Sequence, residues 1–273
     1  MIRSIVARTL LGVLASFIFA VPFAAQGQGT ALDRSDALCR KDLHKTLGRL
    51  IRESVKEMNK CHTKRMAGHY APARDCNVPE NSPSPLKVER ESDKLRRRAL
   101  HSCAGERRAP AAPAPALGYD SCPAPCGGVA IDGDYLNVAD CLICLSRSWT
   151  IDLVSTAYGT PAVPTDRGAK RCQDRIGNLV KKYLSKLITD QEQCQTAQDR
   201  GKVAADVDCR TADLLGRQAK ARLNLRRNIE RCGDALLELD SCAADVDGAL
   251  ACIVPKVEST VAALFDATYR PLP

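Results

Sequence analysis

Residues 39–76 read CRKDLHKTLGRLIRESVKEMNKCHTKRMAGHYAPARDC, and residues 172–209 read CQDRIGNLVKKYLSKLITDQEQCQTAQDRGKVAADVDC. Both stretches place cysteine at the same three points. Cys39 to Cys61 and Cys172 to Cys194 are each 22 positions, and Cys61 to Cys76 and Cys194 to Cys209 are each 15. The offset is 133 throughout, and it also pairs Thr63 with Thr196, Gly68 with Gly201, and Asp75-Cys76 with Asp208-Cys209. Apolar positions coincide as well: Leu43 with Ile176, Leu47 with Val180, Ile51 with Leu184 and Val55 with Ile188. A spacing used twice, with matched apolar positions, marks a duplicated structural unit.

Outward from this pair the copies drift and then realign. Cys76 to Cys103 is 27 positions and Cys209 to Cys232 is 23, so copy one carries four extra residues, placed in the loop Asn81-Ser82-Pro83-Ser84-Pro85. At offset 111, Cys141 matches Cys252 and Tyr158 matches Tyr269. Cys126 and Cys144 have no counterpart in copy two.

The periodicity predicts helices. Cys39, Leu43, Leu47, Leu50, Met58 and Cys61 share one face of a helix over 39–66, with Ser35 as its expected N-cap and Gly68 as its stop. Residues 172–198 repeat the pattern, stopped by Gly201. Second arms are expected over 86–103 and 211–232, the latter with Leu215, Ala219, Leu223 and Cys232 on its stripe. Third helices are expected over 139–158 and 251–269. Pro255 suits the last one only in its first turn, where a missing N–H costs nothing. No sustained period-two alternation supports a strand. The expected fold is all-α: two tandem copies of a disulfide-stapled antiparallel helical hairpin, each with a third helix.

In an antiparallel pair, facing residues have a constant sum of residue numbers. Cys194/Cys209 and Cys172/Cys232 sum to 403 and 404. Cys61/Cys76 sums to 137, and Cys39/Cys103 to 138 once the four extra residues are removed. Each hairpin therefore allows an inner bridge at its turn and an outer one at its open end: Cys61–Cys76 with Cys39–Cys103, and Cys194–Cys209 with Cys172–Cys232. Cys242–Cys252 would tie the last helix back. By analogy Cys122–Cys141 and Cys126–Cys144 tie the third, although spacing alone leaves the choice of partner within this foursome open. That uses all fourteen cysteines.

The N-terminus reads as a signal peptide over 1–27: Arg3 and Arg8 without acids, an apolar run over 10–25, and the small-residue exit Ala25-Gln26-Gly27. An even cysteine count after such a segment is expected outside the cytoplasm, in the periplasm or beyond the cell. No later stretch is wholly apolar for 18 residues, so no membrane span is expected after cleavage. Copy one is expected over 28–165, with a Pro/Ala-rich insertion near 104–128 lying on the surface, and copy two over 166–273. The net charge of +8 becomes about +6 without the two signal arginines. That excess is suited to an anionic envelope or extracellular polymer, or to no more than solubility.

The cysteine pattern of 172–232, its Lys/Arg-rich second arm, and Asp140-Cys141-Leu142-Ile143-Cys144 running into Ala157-Tyr158-Gly159 resemble a loose group of exported, uncharacterised, cysteine-rich helical proteins of Gram-negative bacteria. The resemblance covers most of the mature chain. It implies an exported helical architecture and no activity. The hairpin geometry is similar to that of plant α-hairpinins, whose paired Cys-x-x-x-Cys motifs the two hairpins here lack.

Chemistry-bearing patterns are few. Cys141-Leu142-Ile143-Cys144 is a C-x-x-C, and with Cys122 and Cys126 it offers four thiolates at near zinc-site spacing. Exported chains favour disulfides over both uses. Cys61-His62 lacks the first cysteine of a haem-attachment motif. His44, His62, His69 and His101 are not duplicated and are expected to be solvated. Asp132-Gly133-Asp134 with Asn137 is a turn rather than an EF-hand loop. Arg96-Arg97-Arg98 and Arg226-Arg227 are basic runs, and Arg97, Arg98, Arg226 and Arg227 are the candidate anion-binding residues. No aromatic residues interleave with them, so they carry no specific nucleic-acid signal. Trp149 is expected in the core. No catalytic residue, cofactor or metal is expected. The function expected is a non-enzymatic structural or binding module; the alternative is a thiol-redox or zinc protein built on Cys122, Cys126, Cys141 and Cys144.

Overall fold

Aspartates start most of the long helices. In the computed structural model, which describes residues 32–159, 163–239, 242 and 245–271, Asp33 accepts from the Ser35 N–H at 2.9 Å and opens α1, Arg34–Met66. Ser35 is therefore inside the helix and not its cap. α2 is Pro85–Ser102, with proline in its first turn. α3, Tyr135–Tyr158, is capped by Asp134 on the Leu136 N–H. α4, Arg167–Gln198, is capped by Asp166 on the Ala169 N–H. α5, Arg217–Glu230, follows the left-handed Gly216. α6, Val246–Thr268, is capped by Asp245 on the Gly248 N–H. Among the described residues there are six α-helices, short 3-10 turns and no strand. The expected signal peptide, 1–27, lies outside the described residues.

α1 and α4 end alike. Gly68 takes φ +80° and donates to Arg65 O while His69 donates to Lys64 O. Gly201 takes φ +68° and donates to Gln198 O while Lys202 donates to Ala197 O. This is the same paired closure, in which a left-handed residue lets two N–H groups reach back to orphan carbonyls.

Seven disulfides use all fourteen cysteines: Cys39–Cys103, Cys61–Cys76, Cys122–Cys141, Cys126–Cys144, Cys172–Cys232, Cys194–Cys209 and Cys242–Cys252. The bridges at opposite ends of α1 and α2 make them run antiparallel, and the same holds for α4 and α5. So many bridges are typical of proteins from oxidising compartments.

The core is shared. Leu43, Leu47, Ile51 and Met58 of α1, Tyr183, Leu184 and Leu187 of α4, and Ile253, Val257, Val261 and Leu264 of α6 belong to one buried cluster. α1 packs against α2, α3, α4 and α6. The described residues form one compact unit, so segments 32–159 and 163–271 do not bury separate cores. A seam of polar contacts joins them. Asn59 donates to Gly177 O at 2.8 Å, Gln173 donates to Tyr158 O at 2.9 Å, and the Tyr158 ring stacks on His62 with centroids 3.8 Å apart. Gly177 is required there, because a Cβ would lie 2.1 Å from the Tyr158 hydroxyl.

Several expectations need correction. The insertion is a surface segment only in part: residues 106–110 and 123–125 are exposed, but Ala114, Leu117 and Tyr119 are fully buried, and the Tyr119 hydroxyl donates to Thr268 O at 2.5 Å. Burial holds that phenol up at about 12. Residues 211–216 form turns, and Asp213 accepts from the Gln218 and Ala219 N–H groups. The buried face of α5 is Leu225 and Ile229, whereas Leu215 and Leu223 are exposed. Pro255 lies inside α6, on its exposed side, where water can satisfy the carbonyl that proline leaves free. α6 is long and apolar enough to cross a membrane by length and composition. It lies here against α1, α3, α4 and α5 as a core helix.

Candidate functional site

The sulfur foursome holds no thiolate in this structure. Cys141 and Cys144 bond outward, to Cys122 and Cys126, and not to each other as an oxidised redox C-x-x-C would. Together the two bridges fasten the insertion to α3. Among the described residues no cluster of three or more His, Cys, Asp or Glu side chains is arranged to hold a metal.

Two of the four histidines are buried rather than solvated. His44 Nδ1 lies 2.9 Å from Thr268 Oγ1, and burial drives its pKa down to about 3. His62 Nε2 lies 2.9 Å from Asn77 Oδ1, and burial, reinforced by the Arg65 guanidinium, drives it to about 3. Both are neutral packing groups. His69 is exposed, and His101 lies 3.3 Å from Glu106.

The four arginines expected to bind anions divide. Arg226 is occupied, at 2.6 Å from Asp247 and 3.3 Å from Glu230. Arg98 lies 3.8 Å from Asp42. Arg97 and Arg227 are exposed and make no ion pair among the described residues. The carboxylates at Arg226 and Arg98 lower the local excess of positive charge, and none of the four arginines lines either of the two larger clefts.

Two larger clefts remain. One, of about 670 Å³, lies between the insertion, α3 and α6 and is lined by Trp149, Leu145, Asp120, Asp266 and Arg270. Trp149 is thus half-buried at a cleft wall and not enclosed in the core. The charges of this cleft are already paired: Arg270 with Asp120 at 3.3 Å, and Asp266 with Arg210 at 3.1 Å.

The second, of about 690 Å³, is the groove between α4 and α5. Lys181, Lys182, Lys186, Arg217 and Lys220 line it, and no carboxylate does. The four lysines make no ion pair among the described residues; Arg217 lies 3.6 Å from Asp190. Leu179, Ala221, Leu225 and Tyr183 form an apolar floor, with Ser185, Asn224 and Asn228 between. The Lys181 ammonium is destabilised first by burial and then by Lys56, Lys182 and Lys60, so its pKa is lowered. Glu53 of α1 opposes that shift, and it pairs with Lys56 at 2.8 Å. Tyr183 turns its hydroxyl away to donate to Glu258 Oε1 at 2.5 Å, and Glu258 also takes Arg222. Burial, with that carboxylate, holds the phenol up at about 12.

The groove exists because the second hairpin is filled differently from the first. Measured back from the outer bridge, Asn224 and Asn228 stand where copy one has the fully buried Leu95 and Ala99. Lys220 stands where copy one has Glu91, and at offset 133 Lys186 stands where it has Glu53. Arg222 and Arg226 tie α5 to Glu258 and Asp247 of α6. α4 and α5 pack through Leu225 and Ile229 with the groove beside that contact, and two positions that are acidic in copy one are basic here. The sequence signal for the groove lies in those four differences between the copies and not in the Arg runs.

Comparisons with protein-family models, with curated proteins and with solved structures find no match.

Proposed function

We propose that this chain is an exported, non-enzymatic binding module that holds an anionic ligand of the cell envelope or its surroundings in the α4–α5 groove. The carrying observation is a concave site with five cations and no lining carboxylate. Concave, partly apolar sites with a few convergent charged groups are where ligands bind. Arg217 has Asp190 at 3.6 Å, but the four lysines are gathered without a paired carboxylate, a counter-charge that an anion would supply. The seven bridges suit this use: they hold the groove walls in place before the ligand arrives, which lowers the ordering cost of binding. The N-terminal segment and the cysteine count support export.

The test is titration of the oxidised mature protein with heparin and with dodecyl phosphate, beside the double variant Lys182→Glu/Lys220→Glu. Both lysines are exposed, so reversal leaves the fold intact. At least one probe should bind at low salt and weaken tenfold or more in the variant. Equal affinity of both probes for the two proteins refutes the assignment. Arg226→Glu, outside the groove, should change little.

A further inference from the structure

We infer that the ligand of the α4–α5 groove is an anionic amphiphile: a phosphate or carboxylate head carrying an alkyl chain. The inference rests on the anion-binding assignment above and narrows it. A polyanion needs a track of cations at the surface and gains little from what lies beneath. Here the cations form a rim over a floor that is apolar. Leu179 and Leu225 are 8% and 2% exposed, and the Tyr183 ring beside them is 2% exposed. Ala221, between Lys220 and Leu225 on α5, keeps the floor low because its side chain is a single methyl.

The dimensions agree. The α5 wall from Arg217 to Asn228 is on the order of 16 Å long at the helical rise. The volume of about 690 Å³ lies within the range of sites that enclose a small organic ligand. Lys182 and Lys186 are one turn apart on α4, while Arg217 and Lys220 are nearly so on α5, so cations flank the chain path from both walls. Long lysine stems can lie along an alkyl chain while their ammonium groups reach a head group. Asn224 and Asn228, which correspond in number to Leu95 and Ala99 of copy one, line the groove, while α5 turns Leu225 and Ile229 inward.

The experiment compares octyl, decyl and dodecyl phosphate, each below its micelle concentration, and heparin, by calorimetric titration of the oxidised mature protein. Three proteins are used: wild type, Lys182→Glu/Lys220→Glu, and Ala221→Phe, which fills the floor without altering charge. Retention of the helical circular-dichroism signal and of seven bridges is the folding control. For wild type, affinity should rise about four-fold per added methylene that reaches the floor. Ala221→Phe should flatten that rise and leave heparin affinity unchanged. If wild-type affinity is independent of chain length, the amphiphile is refuted; anion binding survives if heparin still responds to the charge reversal. If chain-length dependence is the same in all three proteins, the alkyl phosphates bind elsewhere and the amphiphile is refuted. Loss of heparin response to charge reversal in that same case refutes the anion-binding assignment as well.

Discussion

Acidification should destabilise this protein well above the range in which its carboxylates titrate, because two imidazoles are buried neutral. His44 and His62 are each held at about 3, against an ordinary value near 6.5. A group whose pKa is depressed on folding binds its proton in the unfolded chain first, so stability falls as pH drops below the unfolded value. The loss begins near pH 6.5 and continues toward pH 3. Between pH 7.5 and 5.5 each histidine should remove about 1.4 kcal/mol, and the two together about 2.7 kcal/mol. Burial also raises Asp190, Asp199 and Asp266, which act in the opposite sense, but their effect belongs mostly to lower pH. The assay is guanidinium unfolding of the oxidised protein, followed by the fluorescence of Trp149, the single tryptophan. Replacing His62 by Gln, which can still reach Asn77, should halve the pH dependence. A midpoint that is unchanged between pH 7.5 and 5.5 would show that both imidazoles reach water, and would refute the packing assigned to them.

Two further outcomes test the frame of the molecule. Replacing Cys172 and Cys232 by serine should cost about 4 kcal/mol, the chain-entropy worth of a loop spanning 60 residues and shortened by the inner bridge; a loss below about 1 kcal/mol, measured by the same unfolding assay, would mean that α4 and α5 hold together without the clamp. Gly177→Ala should cost about 1–3 kcal/mol despite alanine's better helix propensity, since the new methyl meets Tyr158 at the contact between α3 and α4; Gly128→Ala, in open space, is the control, and equal midpoints for the two would contradict a tight junction.

The sequence was most legible where a covalent or periodic constraint acts. Helix positions followed from the apolar spacing of Leu43, Leu47 and Ile51, and the facing of helices followed from cysteine numbers, because a bridge needs its Cα atoms within about 7 Å. Errors arose where tertiary context decides. Leu215 and Leu223 suggested a stripe over 211–232, but Gly216 and the Asp213 cap start α5 later, and the ion pairs to α6 rotate Leu225 and Ile229 inward. His44 and His62 looked polar in one dimension; only the fold supplies Thr268 and Asn77 as their partners. The insertion's Tyr119 gave no warning of burial, since its partner, Thr268 O, is 149 residues away. The groove required both copies to be laid side by side, position by position, with the core contents of each known.

The two hairpins illustrate how a staple can free a seam from packing. Losing buried contacts of the Leu95 and Ala99 kind costs about 2–5 kcal/mol when the space cannot collapse. An outer bridge is worth about 4 kcal/mol. In copy two, Cys172–Cys232 and Cys194–Cys209 hold α4 and α5 at both ends, and Leu225 and Ile229 supply the buried contacts of α5. In copy one the same pair of bridges is combined with a filled seam, and α1 serves as the packing centre for α2, α3, α4 and α6. Once both hairpins are clamped, the packing between the second pair of helices can be thinned enough to leave a groove beside it. The charge changes follow the same division. Glu53 and Glu91 neutralise nearby lysines in the scaffold hairpin. Their counterparts Lys186 and Lys220 line the groove and make no ion pair among the described residues.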